Sequence, residues 1–148
     1  MTARRVRLFH KIQITARRLQ KRADREIAAT GPLTTAQAAV LSILEAGEGR
    51  TQRAVAEIMD QNESAITAMV RRLAALGFLE RERDPDDRRA MRLRLTNAGR
   101  MSLAATREPF SRINAIVDST FSTDEIERFA EYLTRLHAAL GGTHGEPR

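Results

Sequence analysis

At 148 residues, with a net charge of +6, 42% apolar residues and no cysteine, the chain is long enough to bury the core of one domain. The missing cysteines exclude disulfides, thiolate metal sites, thiol redox sensing and a cysteine nucleophile. No apolar run approaches the roughly 18 residues of a membrane span, and the opening MTARRVRLFHK lacks the apolar stretch of a secretion signal, so a cytoplasmic protein without membrane contact is expected.

Residues 5–28 predict a long helix in which Val6, Phe9, Ile12, Leu19 and Ile27 stand among basic residues. The first 25 residues hold nine basic groups against one acid, and Gly31-Pro32 stops the helix. Thr34 or Thr35 can cap a second helix, with Ala36, Ala39, Val40, Ile43 and Leu44 on one face. Gly47 and Gly49 end it, and Thr51 caps a short third helix, TQRAVAEIM, whose inward positions are Ala54, Val55, Ile58 and Met59. After DQN comes ESAITAMVRRLAAL, where Ile66, Met69, Val70, Leu73 and Leu76 follow helical spacing up to a left-handed cap at Gly77. Residues 78–83 form a short strand, DPDD is turn chemistry, and residues 90–95 alternate apolar with basic as a half-exposed strand does. Asn97 can cap the next helix, which runs to about Ile116–Thr120 with an irregularity at Pro109. Ser122-Thr123-Asp124-Glu125 fits a capping box and opens a last helix with Ile126, Phe129, Leu133, Leu136 and Leu140 on one face, before the loose tail GGTHGEPR.

A hairpin directly after a helix-turn-helix is the winged form of a DNA-binding motif. The fold class is therefore mainly α with a small two-stranded β wing. The fourth helix locks its apolar face onto the domain and presents Ser64, Thr67, Ala68 and Arg71 on the other, groups that can reach base edges or phosphates from a major groove about 12 Å wide. Of the 25 basic residues only Lys11 and Lys21 are lysines. Arginine suits forked phosphate contacts and narrow minor grooves, although a GC-rich genome would write it throughout.

From LTTAQAAVLSIL (33–44) through the helix-turn-helix and wing (51–100), and again over FSTDEIERFAEYLTRL (121–136), the sequence resembles the MarR family of bacterial transcription regulators. The most specific element is D-x-R followed by L-x-L-T-x-x-G: Asp87-Arg88-Arg89 and Leu93 to Gly99. The resemblance implies a winged helix-turn-helix with N- and C-terminal dimerisation helices. Residues 1–32 would be the first dimerisation helix, 33–98 the DNA-binding region, 99–140 the C-terminal dimerisation helices and 141–148 a tail, in one compact domain. It also implies that Arg89 enters a minor groove and that Asp87 holds its guanidinium in position. Arg88 is then a phosphate contact or an alternate for the same task.

Two positions depart from the family's commonest wording. Ala68 stands where a larger basic residue is frequent, and Arg71 where an acidic or polar one is, so base specificity does not transfer. For Ser64 and Thr67 the alternative to DNA contact is local capping or a bond back to the helix. Gln61 or Asn62 could cap that helix or touch phosphate, with Asn62 the better cap. Arg53 is a candidate backbone contact, whereas Arg72 can lie toward the protein.

The family further implies a homodimer, with Phe110, Ile113, Ile116, Val117, Phe121, Phe129, Leu133 and Leu136 as interface and core candidates. It also implies release of DNA by a small phenolic or anionic effector, for which His10, Arg17 and Arg18 are ligand-binding candidates. Met59, Met69, Met91 and Met101 fit apolar positions and are expected to pack rather than to sense oxidants. An enzyme finds little support: the three histidines lack zinc-ligand spacing, and no phosphate loop or nucleophile elbow is present. No cofactor or metal is expected. The reading is a sequence-specific regulator of transcription, a repressor; the alternative is a non-sensing activator or architectural DNA-binding protein.

Overall fold

The computed structural model describes residues 3–141, with the side chains of residues 7–141; the tail from 142 lies outside the described residues. In chain order the elements are α1 (Ala3–Ala28), α2 (Thr35–Ala46), α3 (Gln52–Ile58), α4 (Glu63–Ala75), β1 (Leu79–Arg83), β2 (Met91–Leu95), α5 (Asn97–Ala105), α6 (Arg107–Thr120) and α7 (Thr123–Ala139). β1 and β2 pair antiparallel, with Leu79 opposite Leu95 and Arg83 opposite Met91. The expected class, mainly α with a two-stranded wing, is what the chain adopts.

One apolar core joins Ile27 at the end of α1, Val40, Leu41 and Leu44 of α2, Val55 of α3, and Ile66, Val70 and Leu73 of α4. Leu79, Leu93 and Leu95 bring the hairpin into it, and Leu103 brings α5. Each such side chain contributes about 1.5–3 kcal/mol on leaving water. The hairpin is thus a structural extension of the helix-turn-helix. Its inner edge is also tied by backbone: the N–H of Leu93 donates to the carbonyl of Arg50 (2.9 Å), and Thr51 bridges to Arg92.

The ends of the helices follow from local chemistry. Thr34 caps α2 in a capping box closed by Gln37, Thr51 caps α3, Asn62 caps α4, and Ser122 with Glu125 closes the box of α7. Gly77 takes φ +74° just past α4, the left-handed position that costs a side chain least when it is glycine.

Several expectations are corrected. The buried face of α2 is Gln37, Ala38, Val40, Leu41 and Leu44, while Ala36, Ala39 and Ile43 are only partly covered. That helix is apolar nearly all round, so periodicity could not say which side is inward. Ile58 is 43% exposed, because it lies about 110° round the helix from the Val55–Ala56 side that is buried. Leu76 is 38% exposed for a related reason: ten residues from Ile66, the stripe has drifted about 80° round the helix. Phe78 and Ala90 fall just outside the strands. Thr96, not Asn97, caps α5; its hydroxyl accepts from the N–H of Gly99 (3.0 Å) and donates to the carbonyl of Gly77 (2.6 Å).

The long helix expected after the wing is two helices, and the break falls at Thr106 rather than at Pro109. The Thr106 hydroxyl donates back to the Leu103 carbonyl (2.7 Å), and Pro109 then sits in the first turn of α6, where a missing N–H costs nothing. Met101 stands 74% exposed on α5 rather than packed.

α7 contributes no buried residue. Its Phe129, Leu133, Leu136 and Leu140 are exposed, as are Leu8, Phe9, Ile12 and Leu19 of α1, with Ile116 and Phe121 of α6 and its C-cap. Of the interface and core candidates, Ile113 is buried and Phe110 packs partly against the core.

Candidate nucleic-acid interface

α3 and α4 are joined by a tight turn. The N–H of Gln61 donates to the Ala56 carbonyl (3.0 Å) and that of Asp60 to the Glu57 carbonyl (3.1 Å). Asp60 holds φ +50°, a conformation that aspartate tolerates better than most residues. Asn62 then accepts the N–H of Ala65 (3.2 Å), so the expected cap is the observed one. Ile66, Val70 and Leu73 fix one face of α4 in the core, and Ser64, Ala68, Arg71 and Arg72 are left exposed on the rest.

Two of these side chains are partly committed. The Ser64 hydroxyl donates to the Asn62 side chain (3.2 Å). Thr67 is half-buried; its hydroxyl donates to the Glu63 carbonyl (2.8 Å) and accepts from the amide of Gln52 (2.5 Å). The local bonding weighed for both residues is therefore present. Gln52, which escaped notice in the sequence, links the start of α3 to the middle of α4. Arg53 pairs with Glu57 one turn on (3.2 Å) and remains largely exposed, a geometry that surface screening makes worth little.

The wing sorts its charges. Asp84 is 7% exposed. Its carboxylate accepts the N–H of Asp86 (2.8 Å) and of Asp87 (3.4 Å) and the Nε–H of Arg92 (2.9 Å). Its own N–H donates to the Ala90 carbonyl (3.0 Å), and the N–H of Ala90 donates to the Asp87 carbonyl (2.9 Å), closing the turn at Arg88-Arg89. Arg92 also reaches Asp86 at 3.4 Å. The Arg92 guanidinium, followed by the Asp86 N–H, holds the Asp84 carboxyl below the usual carboxylate range. Arg94 pairs with Glu82 (3.2 Å) across the hairpin. Arg88 and Arg89 at the tip are exposed.

The resemblance led to an Asp87 carboxylate on the Arg89 guanidinium. Instead, that carboxylate accepts the backbone N–H of Arg89 (2.9 Å), as a short side chain two residues back readily does. The loop carboxylate that lies closest to an arginine head is Asp84, three residues earlier. Its partner, Arg92, lies across the hairpin, so the pair becomes visible only once the register is known.

The effector candidates are more scattered. His10, Arg17 and Arg18 are exposed on α1, with His10 edge-on to its neighbour Phe9. A separate open cleft of about 520 Å³ lies between α2, α5 and α6, lined among others by Ser42, Glu45, Arg107, Phe110, Asn114 and Asp118. Arg107 and Glu45 span it at 3.7 Å. None of the three α1 residues lines this cleft, and no signal in the sequence singled out those that do.

Among the described residues no group of histidines and carboxylates could hold a metal ion, and no helix is long and apolar enough to cross a membrane.

A sequence model of the MarR family matches residues 32–90. The chain is similar to the PcaV transcriptional regulator of Streptomyces coelicolor, solved in complex with its natural ligand: 32% identity over 85% of this chain and 91% of that one, with a TM-score of 0.75. It is also similar to the transcriptional repressor CouR bound to a 23-mer DNA duplex, at 27% identity over 87% and 91% of the two chains, TM-score 0.81. A mutant MarR from E. coli in complex with operator DNA shares the fold at 19% identity over 88% and 94%, TM-score 0.82. No curated protein sequence matches the chain.

Proposed function

The chain belongs to the MarR family of winged-helix transcription regulators, and on that premise we propose that it is a homodimeric repressor that binds a pseudo-palindromic operator and leaves it when a small phenolic or anionic effector binds. The observation that carries the DNA-binding half is the charge sorting of the wing. The carboxylates of the 84–87 loop are turned onto backbone N–H groups and Arg92, and the Arg88-Arg89 tip is exposed. An acidic loop next to DNA would repel it; here Asp84 is buried against Arg92 and Asp86 reaches the same guanidinium, so the exposed Arg88 and Arg89 at the tip are left to meet the polyanion.

In this reading Arg89 enters a minor groove, whose narrow stretches concentrate negative potential, and Arg88 binds phosphate. Asp87 shapes the turn that carries both. Ser64, Thr67, Ala68 and Arg71 face the major groove. Because the Thr67 hydroxyl is already bonded twice, its methyl and that of Ala68 suit thymine methyl groups. Arg53 and the Asn62 end of α4 flank the phosphate backbone. Residues 33–98 form the reading head; residues 1–32 and 99–140 form the dimer, whose twofold axis sets half-sites about one helical turn apart.

The effector half is supported by likeness to PcaV, solved with its natural ligand, and by the cationic side chains Arg17 and Arg18 on the same helix as His10, about two turns further along α1. An effector acts only through different affinities for the two states.

The experiment is a fluorescence-anisotropy titration at near-physiological salt, against DNA upstream of the chain's own gene and against scrambled DNA. A panel of aromatic acids and phenols follows. Tight binding to the upstream fragment, abolished by one panel member, is the expected result. Equal weak binding to both fragments would leave two possibilities: an operator distant from this gene, or an architectural role.

A further inference from the structure

The wing's acid-rich loop contains one aspartate unlike the rest. Asp86, Asp87, Arg88 and Arg89 are exposed, whereas Asp84 is buried at the base of the loop. Its carboxylate gathers three donors, two from the loop backbone and one from Arg92. Arg92, in turn, is the residue of β2 that bridges to Thr51, immediately before α3, and its neighbour Leu93 bonds the Arg50 carbonyl. The contact chain therefore runs from the wing tip through Asp84 and Arg92 to the start of the helix-turn-helix.

We propose that the Asp84–Arg92 pair is the positioning element that sets DNA affinity, holding the Arg88-Arg89 turn at a fixed place relative to α3 and α4 without itself touching DNA. The proposal rests on the DNA-binding reading above and goes beyond it by separating the wing's arginines into two jobs. Arg88 and Arg89 face the polyanion, while Arg92 is an internal strut whose Nε–H is taken by Asp84 and whose terminal nitrogen reaches Asp86. A loop with both ends braced loses less freedom on binding, and ordering side chains and loops is one of the main costs of association.

The sign of the effect makes the idea testable. By charge alone, replacing an aspartate near DNA with a neutral residue should tighten binding. If Asp84 is a strut, Asp84→Asn should weaken it instead. The probe is a duplex enriched by the wild-type chain from a random-sequence pool, with Kd measured over a series of salt concentrations. Asp84→Asn and Arg92→Gln are each expected to weaken binding by about tenfold. Both should keep the wild-type salt slope, because no phosphate contact is lost. The double variant should lose no more than the worse single, as expected when two residues act as one unit. Arg88→Ala serves as the contrast, with a slope reduced by about 0.9 for the phosphate it would release.

Thermal unfolding of each variant separates a displaced wing from an unfolded one. Should Asp84→Asn fail to fold, the more exposed Arg92→Gln carries the test. A reduced salt slope for Arg92→Gln would make Arg92 a phosphate contact and overturn the proposal. Tighter or unchanged binding by folded Asp84→Asn would do the same. If the wild-type chain enriches no duplex at all, the DNA-binding reading falls first and takes the proposal with it.

Discussion

The α-carbon of Gly99 lies against the backbone carbonyl of Phe78, so closely that a methyl group placed there would collide with main chain as well as with the Leu95 side chain. The contact joins the start of α5 to the entry of the wing, beside the hydrogen bond from the Thr96 N–H to the same carbonyl (3.1 Å). A glycine near the start of a helix is ordinarily improved by alanine, which gains about 1 kcal/mol of helix propensity. At this site the sign reverses. Gly99→Ala is expected to destabilise the chain by about 1–3 kcal/mol, the usual cost of overpacking. Urea unfolding decides it: equal or greater stability would mean that the two backbones can part without penalty.

Asp24 gives a prediction about acid. Its carboxylate accepts both the backbone N–H (3.0 Å) and the hydroxyl (2.5 Å) of Thr35, tying α1 to the first residue of α2, and also the Gln20 amide (3.2 Å). The Thr35 hydroxyl is the largest cause holding its pKa below the ordinary aspartate value, ahead of the opposing effect of burial. A folded pKa lower than the unfolded one means stability fully present above the unfolded value and lost as pH falls through the folded one. Asp24→Ala should therefore cost about 1 kcal/mol at neutral pH, as loss of a helix-end acceptor does. It should also flatten the acid limb of the stability curve below the ordinary carboxylate range. An acid limb identical to that of the wild type would show that the tie contributes nothing through its charge.

How much of this was legible beforehand depended on whether a signal was local. The caps at Thr51, Asn62 and Ser122 and the stripe of Ile66, Val70 and Leu73 lie within one or two turns of chain, and the sequence shows them directly. The winged arrangement followed from their order. α2 hid its inward face because alanines and leucines surround it, and the buried Gln37 looks polar until its capping role is known. The Asp84–Arg92 pair depends on hairpin register, and the Glu45–Arg107 cleft on helices more than fifty residues apart in sequence. Neither leaves a periodic or motif-like trace.

Arg89 is the position at which loss of DNA contact should be greatest for the least structural damage. It is exposed at the wing tip, and only its backbone N–H, which any residue but proline would supply, is held by Asp87. Arg89→Ala should weaken operator binding by more than about tenfold, the scale of one well-made arginine contact at 1–3 kcal/mol, while the melting temperature stays within a degree or two. Affinity unchanged at matched salt would remove Arg89 from the minor groove.

The exposed apolar faces of α1 and α7 make the last prediction. Leu8, Phe9, Ile12, Phe129, Leu133 and Leu136 are long apolar side chains exposed on two helices, and patches of this extent on a single chain mark an interaction surface. The faces also differ in charge, since the first 25 residues are strongly basic while α7 opens with Asp124, Glu125 and Glu127. A second copy would satisfy both features at once. Sedimentation of the full chain should give a dimer at micromolar concentration. Leu133→Arg should yield monomer, because a charge in an apolar interface must be desolvated without a partner. The isolated monomer should keep its helical circular dichroism, as α7 supplies nothing to the core, yet it should lose most operator affinity because each half-site would then be bound alone. A wild-type chain that sediments as monomer would refute the dimer, and a Leu133→Arg chain that remains dimeric would place the twofold contact elsewhere.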